Sequence, residues 1–155
     1  MIVDSGNRTE FESGAVRDIQ EGKGRCDLLP LDVVRGLFKD PEGQVFDLIS
    51  LFVEEGNYKY LEGALMVVEV FEDIPTLVLE VAKHFEEGAE KYGERNWEKG
   101  IPVRCYIDSG LRHYLKHLRG DKDERHDRAF CWNMLCAIWT CIHRPELNEY
   151  FTLHT

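Results

Sequence analysis

The sequence has little positive charge relative to its negative charge. Its 155 residues include 19 lysines and arginines against 29 aspartates and glutamates, which gives a formal net charge of −10 at pH 7. Because binding to duplex nucleic acid needs a basic surface that neutralises phosphates, this composition argues against a duplex as the main partner. It does not exclude a single nucleotide whose charge is bridged by metal ions.

Long apolar runs are also missing from the sequence. No segment approaches the roughly 20 apolar residues that a membrane-spanning helix requires. The first thirty residues are polar and contain no apolar stretch of the kind found in a signal peptide. We therefore expect no membrane partner and no secretion signal.

The cysteines form no recognisable framework. There are five of them, an odd number, and none stands in a C-x-x-C pair. Cys131, Cys136 and Cys141 lie within an apolar helical run. We interpret all five as reduced thiols of a cytoplasmic protein, and not as a disulfide or zinc framework.

The residues that are present predict a folded, helical chain. Hydrophobic residues make up 43% of the sequence and there are three tryptophans, which indicates a folded protein and not a disordered one. The length fits a single domain, residues 1–155, with a real core. Apolar residues at helical spacing predict helices at 30–38, 45–53, 58–71, 76–92, 106–119 and 130–142. Within the third of these, the β-branched run at 67–70 leaves a strand open as an alternative.

Residues 1–30 are predicted to form an irregular arm. Glycines at positions 6, 14, 22 and 24 alternate with charged residues, among them Arg17, Lys23 and Arg25. Since glycine lets backbone N–H groups approach an anion, this arm is a candidate phosphate-binding segment. A solvated terminal arm is the alternative. Residues 31–74 show no sign of chemistry, and we interpret them as a helical scaffold or a subunit interface.

The helix predicted at 76–92 carries a line of ionisable residues beside its apolar face. At about 100° per residue, four of them fall in one stripe. They are Glu80, His84, Glu87 and Lys91. Glu90 falls well round toward the far side. Two carboxylates and an imidazole can hold Mg²⁺ or Mn²⁺, and a charged edge exposed to solvent is the alternative.

The following loop and helix contain further polar candidates. Asn96 and Trp97 are suited to holding a base by amide hydrogen bonds and stacking, although a tryptophan that only packs is the alternative. Asp108 and Arg112 are one helical turn apart. They are interpreted either as a simple i, i+4 ion pair or as a metal ligand and a phosphate binder. His113 lies off the apolar stripe, so periodicity alone gives it no role.

The last predicted helix is apolar nearly all round and is therefore expected to be central. His126 and Asn133 fall on one polar line between small residues. A buried asparagine without a partner would cost about 1–3 kcal/mol, so we expect Asn133 to hydrogen-bond either to the protein or to a substrate. Gly120 is expected to end the preceding helix, and Asp121 or Asp123 to cap this one.

Four blocks of the sequence, taken together, resemble one known family. They are GAVRD with EGKGRCDLLP, EVAKHFEEGAEKYGERNWEKG, YIDSGLRHYLKHLRGD and DERHDRAFCWNMLCAIW. In this order they are similar to the phage dATP/dGTP diphosphohydrolase family, which belongs with the MazG-like, all-α NTP pyrophosphatases. The resemblance covers about residues 10–142, with less similarity over 31–74.

This resemblance implies an all-α helical bundle in which residues 75–142 form the catalytic helices. It implies hydrolysis of dGTP or dATP to the monophosphate and pyrophosphate, supplying dGMP for 2-aminoadenine DNA in a phage-infected host cytoplasm. Family members assemble from helical protomers, so a homodimer or homotetramer is expected. A nucleotide sensor without turnover and a structural helical phage protein are the rival interpretations.

The broader superfamily implies two or three Mg²⁺ or Mn²⁺ ions held by E-x-x-E and E-x-x-D motifs. Glu87-x-x-Glu90 and Glu124-x-x-Asp127 match by spacing, yet Glu90 points away from the stripe. The predicted metal ligands, of which the first three are also the predicted catalytic residues, are Glu80, Glu87, Asp108 and His84. The residues predicted to bind substrate are Arg17, Lys23, Arg25, Lys91, Asn96, Trp97, Arg112, His113, His126 and Asn133.

Overall fold

The computed structural model describes residues 2–152 and is all-α apart from one short hairpin. The regular elements are β1 (Arg8–Glu10), β2 (Val16–Asp18), α1 (Leu31–Val34), α2 (Glu42–Glu55), α3 (Lys59–Val67), α4 (Ile74–Tyr92), α5 (Val103–Arg119), α6 (His126–His143) and α7 (Glu149–Thr152). Short 3₁₀ turns cover Cys26–Leu28, Arg35–Leu37, Asn96–Lys99 and Pro145–Leu147. The expected all-α fold is confirmed.

Helix α6 lies at the centre of the packing, as its apolar circumference predicts. It contacts α3, α4 and α5, and its contact with α5 is the most extensive between any two described elements. Gly110 of α5 makes this close approach possible. A Cβ atom added at Gly110 would lie 2.6 Å from Cε of Met134 and 3.3 Å from Cβ of Asn133, so a larger residue there would require the end of the Met134 side chain to move.

Helices α2 and α3 pack against each other and form the scaffold beside this centre. Val45, Phe46, Ile49 and Phe52 recur at helical spacing on α2 and are fully buried. The ring of Phe46 lies 5.5 Å from the ring of Tyr114 on α5, which links the scaffold to the central helices. Gly56 ends α2 in the left-handed conformation, with φ of 73°, as expected for a glycine after the last helical turn.

Several element boundaries differ from the predictions. The helix predicted at 30–38 is interrupted after α1, and Leu37, expected inside, is 82% exposed. The reason is the Arg35 side chain, which hydrogen-bonds to the carbonyl of Phe38 and to the carboxylates of Asp40 and Asp47 and so stabilises a turn. Helix α3 ends at Val67, and the run 67–70 forms no strand.

The predicted cap of α6 is also wrong. Gly120 ends α5 in the left-handed conformation, as expected. Helix α6 then begins at His126 with no side-chain cap from the preceding residue. Asp123 contacts the ring of His126 instead, with 2.7 Å between Oδ1 and Nε2. The Asp123 carboxylate therefore hydrogen-bonds to the His126 side chain and not to a backbone N–H at the start of α6.

The arm is more ordered than predicted, because it contains a hairpin and two of its segments are held by the rest of the chain. Strands β1 and β2 pair antiparallel, with Arg8 opposite Asp18. Asn96 hydrogen-bonds to both backbone groups of Val16, at 2.9 Å to its N–H and 2.8 Å to its carbonyl. The N–H of Cys26 donates to Asp108 on α5 at 2.6 Å. These contacts fix the arm over α4 and α5, next to the candidate site.

Candidate functional site

A cavity of about 250 Å³ lies between the arm and helices α4, α5 and α6. It is slightly smaller than the range of about 300–1,000 Å³ that is usual for small-molecule sites. Most of the predicted site residues line it: Arg17, Lys23, His84, Lys91, Asn96, Trp97, Arg112, His113 and Asn133. Five others do not appear in its lining: Arg25, Glu80, Glu87, Asp108 and His126. The structure therefore gathers residues from the whole chain around one space.

Three of the predicted phosphate-binding cations already have partners within the protein. Lys23 pairs with Asp18 at 2.8 Å. The ammonium of Lys91 donates to a backbone carbonyl of the arm at 3.0 Å. Arg25 pairs with Asp27 at 2.7 Å, away from the cavity lining. A phosphate group would have to compete with these interactions.

Arg17 and Lys116 differ from these cations. The Nη2 atom of Arg17 donates to Oδ1 of Asn133 at 3.2 Å, and the guanidinium lies 5.1 Å from the ring centroid of Tyr106. Its Nη1 atom is buried with no hydrogen-bond partner in the part of the chain that the structure describes. Neither Arg17 nor Lys116, a cavity residue that the sequence did not reveal, forms an ion pair with any described carboxylate.

Asp108 and Arg112 form a buried ion pair, which corresponds to the structural alternative for this pair. The distance between Oδ2 of Asp108 and Nη2 of Arg112 is 2.6 Å, and the two side chains are only 2% and 10% exposed. Arg112 also donates to the carbonyl of Gly24 at 2.6 Å, and Asp108 accepts from Cys26. The pair therefore clamps the arm onto α5, while a metal-binding role for Asp108 stays a prediction.

The acidic stripe of α4 faces basic residues at the start of α6. Glu80 hydrogen-bonds to Lys83 at 2.9 Å and lies 3.5 Å from Arg125. Its pKa is lowered mainly by the Lys83 hydrogen bond. Glu87 lies 3.5 Å from Arg128, which is buried. This stripe thus contributes to the contact between α4 and α6. Glu90 is exposed, as predicted.

Potential metal-ligand atoms converge elsewhere than predicted. Among residues 2–152, the groups whose ligand atoms all lie within 4.8 Å are His113 with Glu124 and His126, and Asp121 with Asp123 and His126. Neither group includes Glu80, His84, Glu87 or Asp108, although Glu124 belongs to the E-x-x-D match that the resemblance gave. The sequence signal for the first group was the pattern Glu124-x-His126 following a histidine on the preceding helix. This pattern indicates a metal site only when the packing of α5 against α6 is known.

The imidazoles of the site are held in their neutral forms. Burial, followed by the facing His126, lowers the pKa of His113 to about 2. Burial is also the main cause that lowers the pKa of His84 to about 4. Both rings are therefore uncharged at neutral pH, which is the form in which a histidine can accept a hydrogen bond or bind a metal.

The aromatic residues form one wall of the cavity. Trp97 packs edge-to-face on Phe85 and Trp139, with centroids 5.3 and 4.9 Å apart, while its role in holding a base stays a prediction. Trp132, which the sequence analysis missed, also lines the cavity. Nε1 of Trp132 and Nδ1 of His84 are buried without hydrogen-bond partners among the described residues. The described residues therefore leave the hydrogen-bonding capacity of these two atoms unused.

No helix within residues 2–152 combines the length and apolar character needed to cross a membrane.

Comparison with known proteins gives one match. A family model described as dATP/dGTP diphosphohydrolase, N-terminal, matches residues 53–150. Comparisons with curated proteins and with solved structures each gave no significant match. The matched segment contains the whole of α4, α5 and α6 and most of the residues that line the cavity, and it spans more than half of the sequence. The chain therefore belongs to the dATP/dGTP diphosphohydrolase family.

Proposed function

We propose that this protein hydrolyses dGTP and dATP to the monophosphate and pyrophosphate with the help of divalent cations, Mg²⁺ or Mn²⁺. The observation that carries the proposal is the combination, around one cavity, of cations without carboxylate partners, neutral imidazoles and an aromatic wall. Membership of the family supplies the reaction and the purine bases. The place in metabolism, supply of dGMP for 2-aminoadenine DNA in the cytoplasm of a phage-infected host, rests on sequence resemblance alone.

The phosphate end of the substrate is assigned to Arg17 and Lys116. A chain with a net charge of −10 repels a triphosphate, so binding needs local positive charge that other side chains have not neutralised. Arg17 offers a guanidinium with a buried nitrogen that has no partner among the described residues. A guanidinium is also well matched to phosphate because it donates two parallel hydrogen bonds. Lys116 lies one turn after His113 on α5 and would add a second positive charge.

The base end is assigned to the wall formed by Phe85 and Trp132. Their ring centroids are 5.8 Å apart and both residues line the cavity. A buried polar atom left without a hydrogen bond costs about 1–3 kcal/mol. A hydrogen bond between the base or sugar and Nδ1 of His84, together with one donated by Nε1–H of Trp132, would remove that cost. Asn96 hydrogen-bonds to the backbone of Val16, and a contact of its amide with the base stays a prediction.

A divalent cation fits the donor set of His113, Glu124 and His126, which offers two imidazoles and a carboxylate. When bound, such an ion would offset the triphosphate charge and favour ionisation of water. The carboxylates predicted from the sequence, Glu80 and Glu87, lie close to Arg125, just before α6, and to Arg128 on α6. Their role as ligands remains a prediction, which Glu87→Gln tests for Glu87.

The reaction is tested by incubating the protein with each dNTP and Mn²⁺ and identifying the products. We expect pyrophosphate and dGMP from dGTP, and lower kcat/KM for dCTP and dTTP than for the purine substrates. We expect Arg17→Ala to raise KM for dGTP and Arg17→Lys to restore part of the loss, while Arg119→Ala, an exposed cation at the end of α5, has no effect. Release of phosphate in place of pyrophosphate, or binding without turnover as in a sensor, would contradict the proposal.

We also propose that the protein forms a homodimer or homotetramer. Large apolar side chains are exposed on α3 and on the first turns of α4: Met66 is 74% exposed, Ile74 49%, Val78 51% and Leu79 68%. Monomeric proteins seldom leave large apolar patches in contact with water. Light scattering after size exclusion should give an oligomer that Val78→Glu dissociates, whereas a monomeric wild-type protein would exclude this assembly.

A further inference from the structure

We propose that His113, Glu124 and His126 bind a first-row transition-metal dication, with Mn²⁺ preferred over Mg²⁺. The binding itself is independent of any substrate. Only the use of the ion in hydrolysis rests on the proposed function. The inference is drawn from the positions of the ligand atoms, from the neighbouring carboxylate and from the chemistry of the donors.

The distances between the ligand atoms suit one ion. Nδ1 of His113 lies 2.9 Å from Nδ1 of His126 and 3.5 Å from Oε1 of Glu124. Two imidazole nitrogens bound at about 2.1 Å from an ion and at roughly a right angle would be about 3.0 Å apart. The 3.5 Å between Nδ1 of His113 and Oε1 of Glu124 corresponds to an angle of about 110° between these two ligand atoms at the ion. No large movement of either helix is therefore needed.

Asp123 supplies the second observation. Its Oδ1 atom lies 2.7 Å from Nε2 of His126, the ring nitrogen that faces away from the cluster. Because an ionised carboxylate only accepts hydrogen bonds, Nε2 carries the hydrogen and Nδ1 presents its lone pair toward His113. A carboxylate behind a histidine is the usual support of a metal-binding imidazole. In the absence of metal, Nδ1–H of His113 then donates to Nδ1 of His126. Metal binding requires the His113 ring to change tautomer, so that its hydrogen is on Nε2 and Nδ1 is free to bind the ion.

The three residues are placed on a rigid part of the fold and reach the cavity. His113 is on α5 and His126 is the first residue of α6, and these are the two helices with the most extensive contact. Oε2 of Glu124 accepts from the N–H of Val3 at 3.1 Å, so its other oxygen is directed to His113. His113 and Glu124 line the cavity, whereas His126 is 2% exposed. An ion bound here would therefore lie in the cavity wall.

The donors determine which ion is preferred. Mg²⁺ favours oxygen ligands in octahedral geometry, whereas imidazole suits transition metals. A site with two histidines and one carboxylate should therefore hold Mn²⁺ in the presence of a large excess of Mg²⁺. A site made only of carboxylates would not discriminate in this way.

The test uses the full chain stripped of metal and titrated with Mn²⁺ in the absence of nucleotide. Free Mn²⁺ is followed by electron paramagnetic resonance, and pulsed spectra report coupling to ¹⁴N of bound imidazole. We expect a site with nitrogen coupling that excess Mg²⁺ does not empty. Glu124→Gln and His126→Asn should weaken Mn²⁺ binding at least about 10-fold, and Asp123→Asn by about 10- to 100-fold. Asp121→Asn, as the matched control, should bind Mn²⁺ as the wild type does, and Glu87→Gln distinguishes this site from the carboxylates of α4.

Each alternative gives a different result. Because His126 is buried and its variant could fail to fold, Glu124→Gln with an unchanged circular dichroism spectrum is the deciding variant. Wild-type affinity in Glu124→Gln, or absence of nitrogen coupling, overturns the proposal. Loss of Mn²⁺ binding in Asp121→Asn but not in Glu124→Gln overturns the proposal and places the ion at Asp121, Asp123 and His126. Loss of Mn²⁺ binding in Glu87→Gln but not in Glu124→Gln overturns it and places the ion at the carboxylates of α4. Normal Mn²⁺ binding without dGTP hydrolysis supports the site and contradicts the proposed function.

Discussion

Replacing Asp108 with asparagine separates a structural role of this carboxylate from a role in metal binding. The substitution keeps the size of the side chain but removes the charge that faces Arg112 at 2.6 Å, in a pair whose members are 2% and 10% exposed. Breaking a buried ion pair by removing one partner costs about 3–5 kcal/mol. We expect the low end, about 3 kcal/mol, since Arg112 keeps its hydrogen bond to Gly24 and the amide oxygen can still accept from Cys26. At about 2–4 °C per kcal/mol for a chain of this size, Tm should fall by roughly 6–12 °C.

The assay is thermal unfolding in EDTA, so that no bound cation contributes to stability. Asp47→Asn is the control, because Asp47 also lies on a helix and pairs with an arginine, at 3.0 Å, but is 46% exposed. Exposed pairs contribute little to stability, so its Tm should hardly change. An unchanged Tm of Asp108→Asn in EDTA, together with weaker Mn²⁺ binding, would refute the structural role and identify Asp108 as a metal ligand.

Three further predictions follow from the site and from the core. Removing divalent cations with EDTA should abolish pyrophosphate release from dGTP and added Mn²⁺ should restore it, whereas full activity in EDTA would exclude the metal-dependent reaction. Sequence periodicity predicts that Glu87→Gln abolishes hydrolysis and that Glu90→Gln changes little. The ion pair of Glu87 with Arg128 predicts instead that Glu87→Gln keeps hydrolysis, with at most a small loss of stability. Measuring kcat and Tm of both variants distinguishes a catalytic role of Glu87 from a structural one. Burial raises the pKa of Cys131 and Cys141 to about 12, so iodoacetamide should label neither in the native protein and both in denaturant, as mass spectrometry would show.

The sequence predicts the elements of this fold better than their contacts. Apolar periodicity identifies α4, α5 and α6, because each buries a face that recurs at helical spacing. Periodicity places Glu80 and Glu87 beside the apolar face of α4. It cannot show that arginines at the start of α6 lie opposite these two carboxylates. The hairpin of the arm escapes prediction for the same reason, since Val16 is held by Asn96, which is 80 positions away.

The metal-binding group illustrates this limit most clearly. His113 is given no role by the periodicity of its helix, and Glu124 lies in a connection that has no periodicity at all. The two residues meet His126 only because α5 and α6 pack closely around Gly110 and because the connection between them is short. A histidine off the apolar face of one helix, followed by E-x-H at the start of the next, is the pattern that would have indicated the group in advance.

The docked arm connects the Asp108–Arg112 pair to the strand that carries Arg17, the residue to which we assign a phosphate-binding role. A loss of activity has to be interpreted with this connection in mind. Arg17 lies on β2 between Val16, which Asn96 holds, and Asp18, which pairs with Lys23. The arm is fixed a second time by Asp108, through Cys26. Releasing this second contact would let Arg17 move away from Asn133 and from any phosphate group. A variant of Asp108 that cannot accept from Cys26 can therefore lose hydrolysis without losing a metal ligand, so metal affinity and stability in EDTA have to be measured separately from turnover.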